Sequence, residues 1–127
     1  MTSMALVIAA GLTFVIGAAH SWLGERRLIG PLLAPGNRQG MLAKSAFSRG
    51  VLRFAWHITT LAWWGMALIL AALAQGPIDG SSRRVLAILA GTFALTGAVT
   101  LISSRGRHLA WPVFMAIAAL TVWPVLP

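Results

Sequence analysis

Cysteine is absent, which excludes disulfides, thiolate metal sites and thiol nucleophiles, and leaves cysteine usage silent about the redox compartment. Acids are nearly absent as well: Glu25 and Asp79 stand alone against ten Lys and Arg, for a formal net charge of +8. Charged residues of both signs make up 9% of the chain, where a soluble globular domain carries about 25%. With 58% of the 127 residues hydrophobic, too little polar surface is left to cover a water-facing domain. A basic balance can mark nucleic-acid binding, but these basic residues lie between long uncharged stretches, where a membrane protein places them. Nucleic acid is therefore not an expected partner.

Four uncharged stretches are present: Met1 to Gly24, Phe54 to Ile78, Val85 to Ser104 and Leu109 to Pro127. Each reaches or approaches the roughly 20 residues that a helix needs to cross about 30 Å of hydrocarbon. The expected fold is all-α, a single polytopic membrane domain over residues 1–127, with four transmembrane helices near 3–28, 50–75, 84–104 and 108–125 in an antiparallel bundle. The first stretch lacks the basic start of a signal peptide and is longer than its usual apolar part, so it is expected to stay as the first helix.

The connections set the orientation. The first holds Arg26, Arg27, Arg38, Lys44, Arg49 and Arg53, the third holds Arg105 and Arg107, and the second holds only Arg83 and Arg84. Eight basic residues against two place the first and third connections in the cytoplasm and both termini in the periplasm of a bacterial inner membrane. Gly30-Pro31 is expected to end the first helix, and Ser81 or Ser82 to cap the third. Met41 to Arg49 mixes apolar and basic residues, so it is expected either to lie along the inner leaflet or to lengthen the second helix, with anionic lipid as partner.

Small residues at four-residue spacing mark close helix contacts in lipid. Ala90, Ala94 and Ala98 form one such row and Thr92, Thr96 and Thr100 another, so the third helix is expected to be central. Thr13, Gly17, His20 and Gly24 share one face of the first helix, which turns His20 toward protein. Trp22, Trp56, Trp111 and Trp123 fall near helix ends as interface anchors, while Trp63 and Trp64 lie deeper, one of them against a cavity.

Chemistry rests on His20, Glu25, His57 and His108, with Arg53 as the nearest cation on the second helix. The topology puts all three histidines in the cytoplasmic third of the bilayer. An ionisable group inside a span costs on the order of a few kcal/mol unless partnered, so each is a candidate for function. Four uses compete. Glu25 and the histidines can hold the bundle in register through ion pairs and hydrogen bonds. His20, His57 and His108 can bind a metal, or His20 and His57 a haem across the bundle. Arginine and histidine can hold a lipid or quinone headgroup. His20, His57 or Glu25 can titrate in proton-coupled transport.

The run His20-Ser21-Trp22-Leu23-Gly24-Glu25, followed by Trp56-His57, resembles a group of small bacterial four-helix inner-membrane proteins, a likeness that implies the fold and no activity. In size the chain is similar to the small multidrug resistance transporters, but their glutamate lies mid-helix and Glu25 lies at a helix end. The signatures of the fluoride channels and of the glutathione and eicosanoid membrane enzymes are missing. The expected function is a small integral membrane binding or accessory protein with a polar His/Glu site near the cytoplasmic face, alone, as a homo-oligomer or in a larger complex. The alternatives are a redox or lipid-modifying enzyme holding haem, metal or quinone at the same residues, and a proton-coupled transporter. No Walker-type loop, paired carboxylates or nucleophile motif assigns a catalytic residue.

Overall fold

Residues 2–126 are described by the structure, a computed structural model, and every element among them is helical. Helix α1 covers Thr2–Gly24 and runs on through a π-helical turn, Glu25–Ile29, into α2, Gly30–Leu33. A short α3, Gly40–Lys44, precedes the long α4, Ala46–Leu73. Helix α5 spans Gly80–Ser104 and α6 Ala110–Val122, the latter closing in a 3-10 turn, Trp123–Val125.

Three stretches are long and apolar enough to cross a membrane: Met4–Leu33, Ala46–Leu73 and Gly80–Ser104, of 30, 28 and 25 residues. At 1.5 Å per residue each exceeds about 30 Å. The fourth expected span is shorter. Its helix begins only at Ala110, after the Gly106-Arg107-His108 turn, and its α-helical ladder stops before Pro124, which has no N–H to continue it. Val15, Leu68, Ile88 and Leu95 all point away from the protein, more than 60% exposed. Apolar faces of that extent suit lipid and not water.

Gly30-Pro31 does not end the first helix. Pro31 sits in the first turn of α2, where a missing N–H is tolerated, and the true stop is Ala34, extended at φ −63°, ψ 143°, the conformation that a following proline favours. The π turn, in which the Gly30 N–H donates to the Glu25 carbonyl, absorbs one extra residue. Gly24, Ile29 and Leu33, buried at steps of five and then four, therefore keep to one face.

Ser45, extended at φ −119°, ψ 115°, separates α3 from α4 and caps the latter, its hydroxyl accepting the Ser48 N–H at 3.1 Å, so of the segment from Met41 to Arg49 only Ala46 onward lengthens this helix. Helix α5 is capped by Asp79, and not by either serine. Its carboxylate accepts the Ser82 N–H at 2.7 Å, which holds its pKa below the usual 3.8. At the other end Arg105 takes a left-handed conformation, φ 51°, and two bonds close the helix: Arg105 N–H to Ile102 O and Gly106 N–H to Leu101 O. This is the pairing of a Schellman motif.

The chain divides into two compact units, Met1–Ile16 with Trp64–Pro127, and Gly17–Trp63. The first holds the apolar core, with Leu6, Leu70, Leu86, Phe93 and Ile117 fully or almost fully buried. In it α5 packs on α6. They approach closely at Gly97, where a Cβ would lie 3.2 to 3.3 Å from Met115 and Phe114, and Ala94 on the expected alanine row is only half-buried. The threonine row does not face a partner helix through its hydroxyls. Thr92, Thr96, Thr100 and Ser104 each donate to the carbonyl four residues back, at 2.6 to 2.9 Å. Trp64 stacks on Phe14, with ring centres 4.8 Å apart, and donates to its carbonyl.

Candidate functional site

Within Gly17–Trp63, the end of α1 and the start of α4 run antiparallel. Their side chains meet in rungs: Thr60 on Gly17, Trp56 on His20, His57 on Ser21, Arg53 on Glu25. Two polar networks are built on these rungs.

The first is centred on His20. Its ring stacks on Trp56, with centres 4.4 Å apart and planes 11° from parallel, and lies tilted by 59° against Trp63 at 4.9 Å. Trp56 Nε1 donates to the His20 carbonyl, while His20 Nε2 lies 3.3 Å from the Trp56 carbonyl and 3.0 Å from Thr59 Oγ1. A carbonyl oxygen only accepts, so Nε2 carries the hydrogen. Gly24 makes the clasp possible, because a Cβ there would stand 2.1 Å from Trp56 Nε1. Trp56, expected as an interface anchor, is instead half-buried against His20. Trp22 and Trp123 are exposed as anchors should be, and the Arg26 guanidinium lies 5.0 Å above the Trp22 ring.

The second network is a chain of four side chains. Arg53 Nη2 lies 2.9 Å from Glu25 Oε1, and Glu25 Oε2 accepts from His57 Nε2 at 3.1 Å. With its hydrogen on Nε2, His57 offers Nδ1 as the acceptor for the Ser21 hydroxyl. Arg53 is 52% exposed and Glu25 35%, so solvent or headgroups screen the pair and it contributes little stability, about 0 to 1 kcal/mol. Its consequence is orientation: by accepting from His57 Nε2, Glu25 fixes the His57 tautomer.

A cavity of about 300 Å³ opens beside this chain, lined by Leu33, Arg38, Ala46, Arg49, Gly50 and Arg53. Two of its guanidiniums are tethered to backbone: Arg38 Nε donates to Leu33 O at 2.7 Å and Arg49 Nη1 to Leu42 O at 2.8 Å. Each keeps further N–H donors for an anion. Glu25 is the single acid in the Gly17–Trp63 sequence, against six Lys and Arg.

Of the residues singled out from the sequence, Glu25, Arg53 and His57 are joined directly, and His20 sits one residue before Ser21 in a separate network. His108 is exposed in the connection between α5 and α6. Its Nδ1 accepts the Ala110 N–H at 3.2 Å and its own N–H donates to Ser104 Oγ, so its contacts organise that turn. Among the described residues no three of His, Cys, Asp or Glu are grouped to hold a metal. Both ring nitrogens of His57 are spent on Ser21 and Glu25, and His20 Nε2 on Thr59 and Trp56, which argues against a haem ligated through those atoms.

Sequence reasoning missed Ser21, Trp56 and Thr59 as members of the networks and Arg38 and Arg49 as cavity residues. For Ser21 a signal existed: it precedes Glu25 by four residues, on the same face. Comparison with known protein families, curated proteins and solved structures finds no match.

Proposed function

We propose that the chain is a small integral membrane protein that binds a phosphate-bearing anionic group, foremost an anionic lipid headgroup, at its cytoplasmic face. The convergence of Arg38, Arg49 and Arg53 on one cavity carries this reading. Guanidinium forks match phosphate oxygens in pairs, and only Arg53 is neutralised by a carboxylate. In the topology that goes with it, the short α6 completes four crossings of an antiparallel bundle in a bacterial inner membrane, with both termini periplasmic. The excess of basic residues in the first and third connections supports that orientation, and it turns the arginine cavity toward the leaflet rich in anionic lipid.

The test is a titration of the purified protein in neutral detergent, read by native mass spectrometry, with phosphatidylglycerol, phosphatidylcholine and inorganic phosphate in separate arms. Phosphatidylglycerol is expected to bind more tightly than phosphatidylcholine. At about 1 kcal/mol per basic residue near an anionic surface, removing Arg38 and Arg49 together should weaken it about 30-fold. Equal binding of the two lipids, or an unchanged double variant, overturns the reading. Inorganic phosphate binding as tightly as phosphatidylglycerol makes free phosphate the ligand. A reporter that is active only in the periplasm, fused after Pro127, should work, and its failure inverts the topology.

A further inference from the structure

Ser21, His57 and Glu25 stand in the order that activates a serine. The Glu25 carboxylate can only accept, so His57 Nε2 carries the hydrogen and its Nδ1 lone pair takes the Ser21 O–H. A neutral imidazole held this way removes the proton of an attacking hydroxyl, and the carboxylate stabilises the imidazolium that forms. The ring is used in the opposite sense from the serine-protease triad, with Nδ1 toward the nucleophile, but the roles are the same. Arg53 holds Glu25 Oε1, leaving Oε2 for His57. Nothing in a purely structural pairing requires a hydroxyl, an imidazole, a carboxylate and a guanidinium in series, half-exposed and on two helices.

We propose that Ser21 is a nucleophile toward carboxylic esters, with His57 as its base, Glu25 and Arg53 as positioning residues, and a membrane glycerolipid as the substrate class. Ser21 lies five residues from Arg26, the first basic residue on its helix, or about 7.5 Å along the axis. Glycerolipid esters occupy that zone, between headgroup and acyl chains. Exposed Trp22, Leu23, Phe54 and Ile58 flank the chain in sequence and offer apolar surface for the acyl part. The choice of a glycerolipid rests on the headgroup reading above, whereas the nucleophilicity of Ser21 does not. In the step, Ser21 Oγ bonds to the ester carbonyl carbon and its proton passes to His57 Nδ1. The bond to the alcohol oxygen then breaks, and that oxygen takes the proton from His57. Water, deprotonated by the same nitrogen, releases the carboxylic acid and restores the serine.

A fluorophosphonate probe tests the nucleophile directly, since Ser21 Oγ would displace fluoride from phosphorus and form one stable adduct. Intact-mass analysis of the protein in detergent should show a single addition, mapped by fragmentation to Ser21 and lost in Ser21→Ala. His57→Ala should slow labelling about 100-fold or more, the scale of general-base catalysis, and Glu25→Gln should slow it less. Heat-unfolded wild type should not label, a control that needs no variant to fold. No adduct on the folded protein, an adduct on another serine, or equal rates in folded and unfolded protein overturns the proposal. Labelling of Ser21 without fatty-acid release from phosphatidylglycerol overturns the lipid substrate alone, and the binding titration independently decides the headgroup site.

Discussion

The two units use the same hydroxyl chemistry in opposite ways. In the unit formed by Met1–Ile16 and Trp64–Pro127, Thr13, Thr92, Thr96, Thr100 and Ser104 all donate to carbonyls of their own helix, four residues back. Such bonds remove the cost of a hydroxyl in an apolar setting but say nothing about which helix lies opposite. In Gly17–Trp63, Thr60 donates across to Gly17 O, Ser21 reaches His57 and Thr59 meets His20. These bonds exist only in one rotation and one register of α1 against α4. Packing specifies the first unit, through residues such as Phe93, Phe114 and Gly97, and polar pairing specifies the second.

The sharpest way to break that contrast is at the two glycines of close approach. Gly24→Ala puts a methyl inside the Trp56 indole, a rigid ring stacked on His20 and bonded to its carbonyl, and should cost about 1 to 3 kcal/mol with loss of the His20 stack. Thermal unfolding in detergent and tryptophan fluorescence would both register it. Gly97→Ala meets Met115 and the Phe114 Cβ at 3.2 to 3.3 Å, contacts that a shift of a few tenths of an ångström relieves, and a helix gains up to about 1 kcal/mol when alanine replaces glycine, so that variant should cost less than Gly24→Ala. If the two substitutions cost the same, the units do not differ in tolerance.

The second comparison exchanges a hydroxyl for a methyl in each unit. Thr60→Val removes a buried cross-helix bond and should cost about 0.5 to 1.5 kcal/mol in thermal unfolding. Thr96→Val removes a bond that only duplicates an acceptor already serving its own helix, and should stay within about 0.5 kcal/mol. A larger loss at Thr96 would show that the threonine row does serve an interface.

The helices were legible because uncharged stretches in so charged-poor a chain have few other readings, and Glu25, Arg53 and His57 stood out for the same reason. Ser21, Thr59 and Trp56 were not legible as a group. Hydroxyls and indoles are ordinary in membrane spans, and their roles depend on the register of α1 against α4, which no local pattern encodes. The stop at Ala34 was hidden by Pro31, whose effect reverses with its position in a helical turn. His108 shows the converse: a residue type suited to a site that spends its ring on a neighbouring backbone N–H.

Arg105→Gly is expected to stabilise the first unit slightly. A non-glycine residue in the left-handed region costs about 1 to 2 kcal/mol, partly offset by the flexibility glycine adds to the unfolded chain, so the net gain should be below about 1 kcal/mol. A loss of stability on this change would mean that the Arg105 side chain contributes more than its backbone costs.

The smallest expected effect is confined to the start of α5 and depends on pH. The Ser82 N–H, bound to the Asp79 carboxylate, favours the charged form and lowers its pKa in the folded protein. A carboxylate with a depressed folded value contributes stability that is fully present above its unfolded value, near 3.8, and is lost as pH falls through the folded one. Amide exchange at Ser82 and Arg83 should therefore stay slow, relative to the intrinsic rate, from neutral pH down to about 4 and lose protection only below that. Asp79→Asn keeps an acceptor at the cap without a titrating group, so it should hold its protection at low pH. Loss of protection at Ser82 already above pH 5, or the same acid-induced loss in Asp79→Asn, would show that some other group governs the start of this helix.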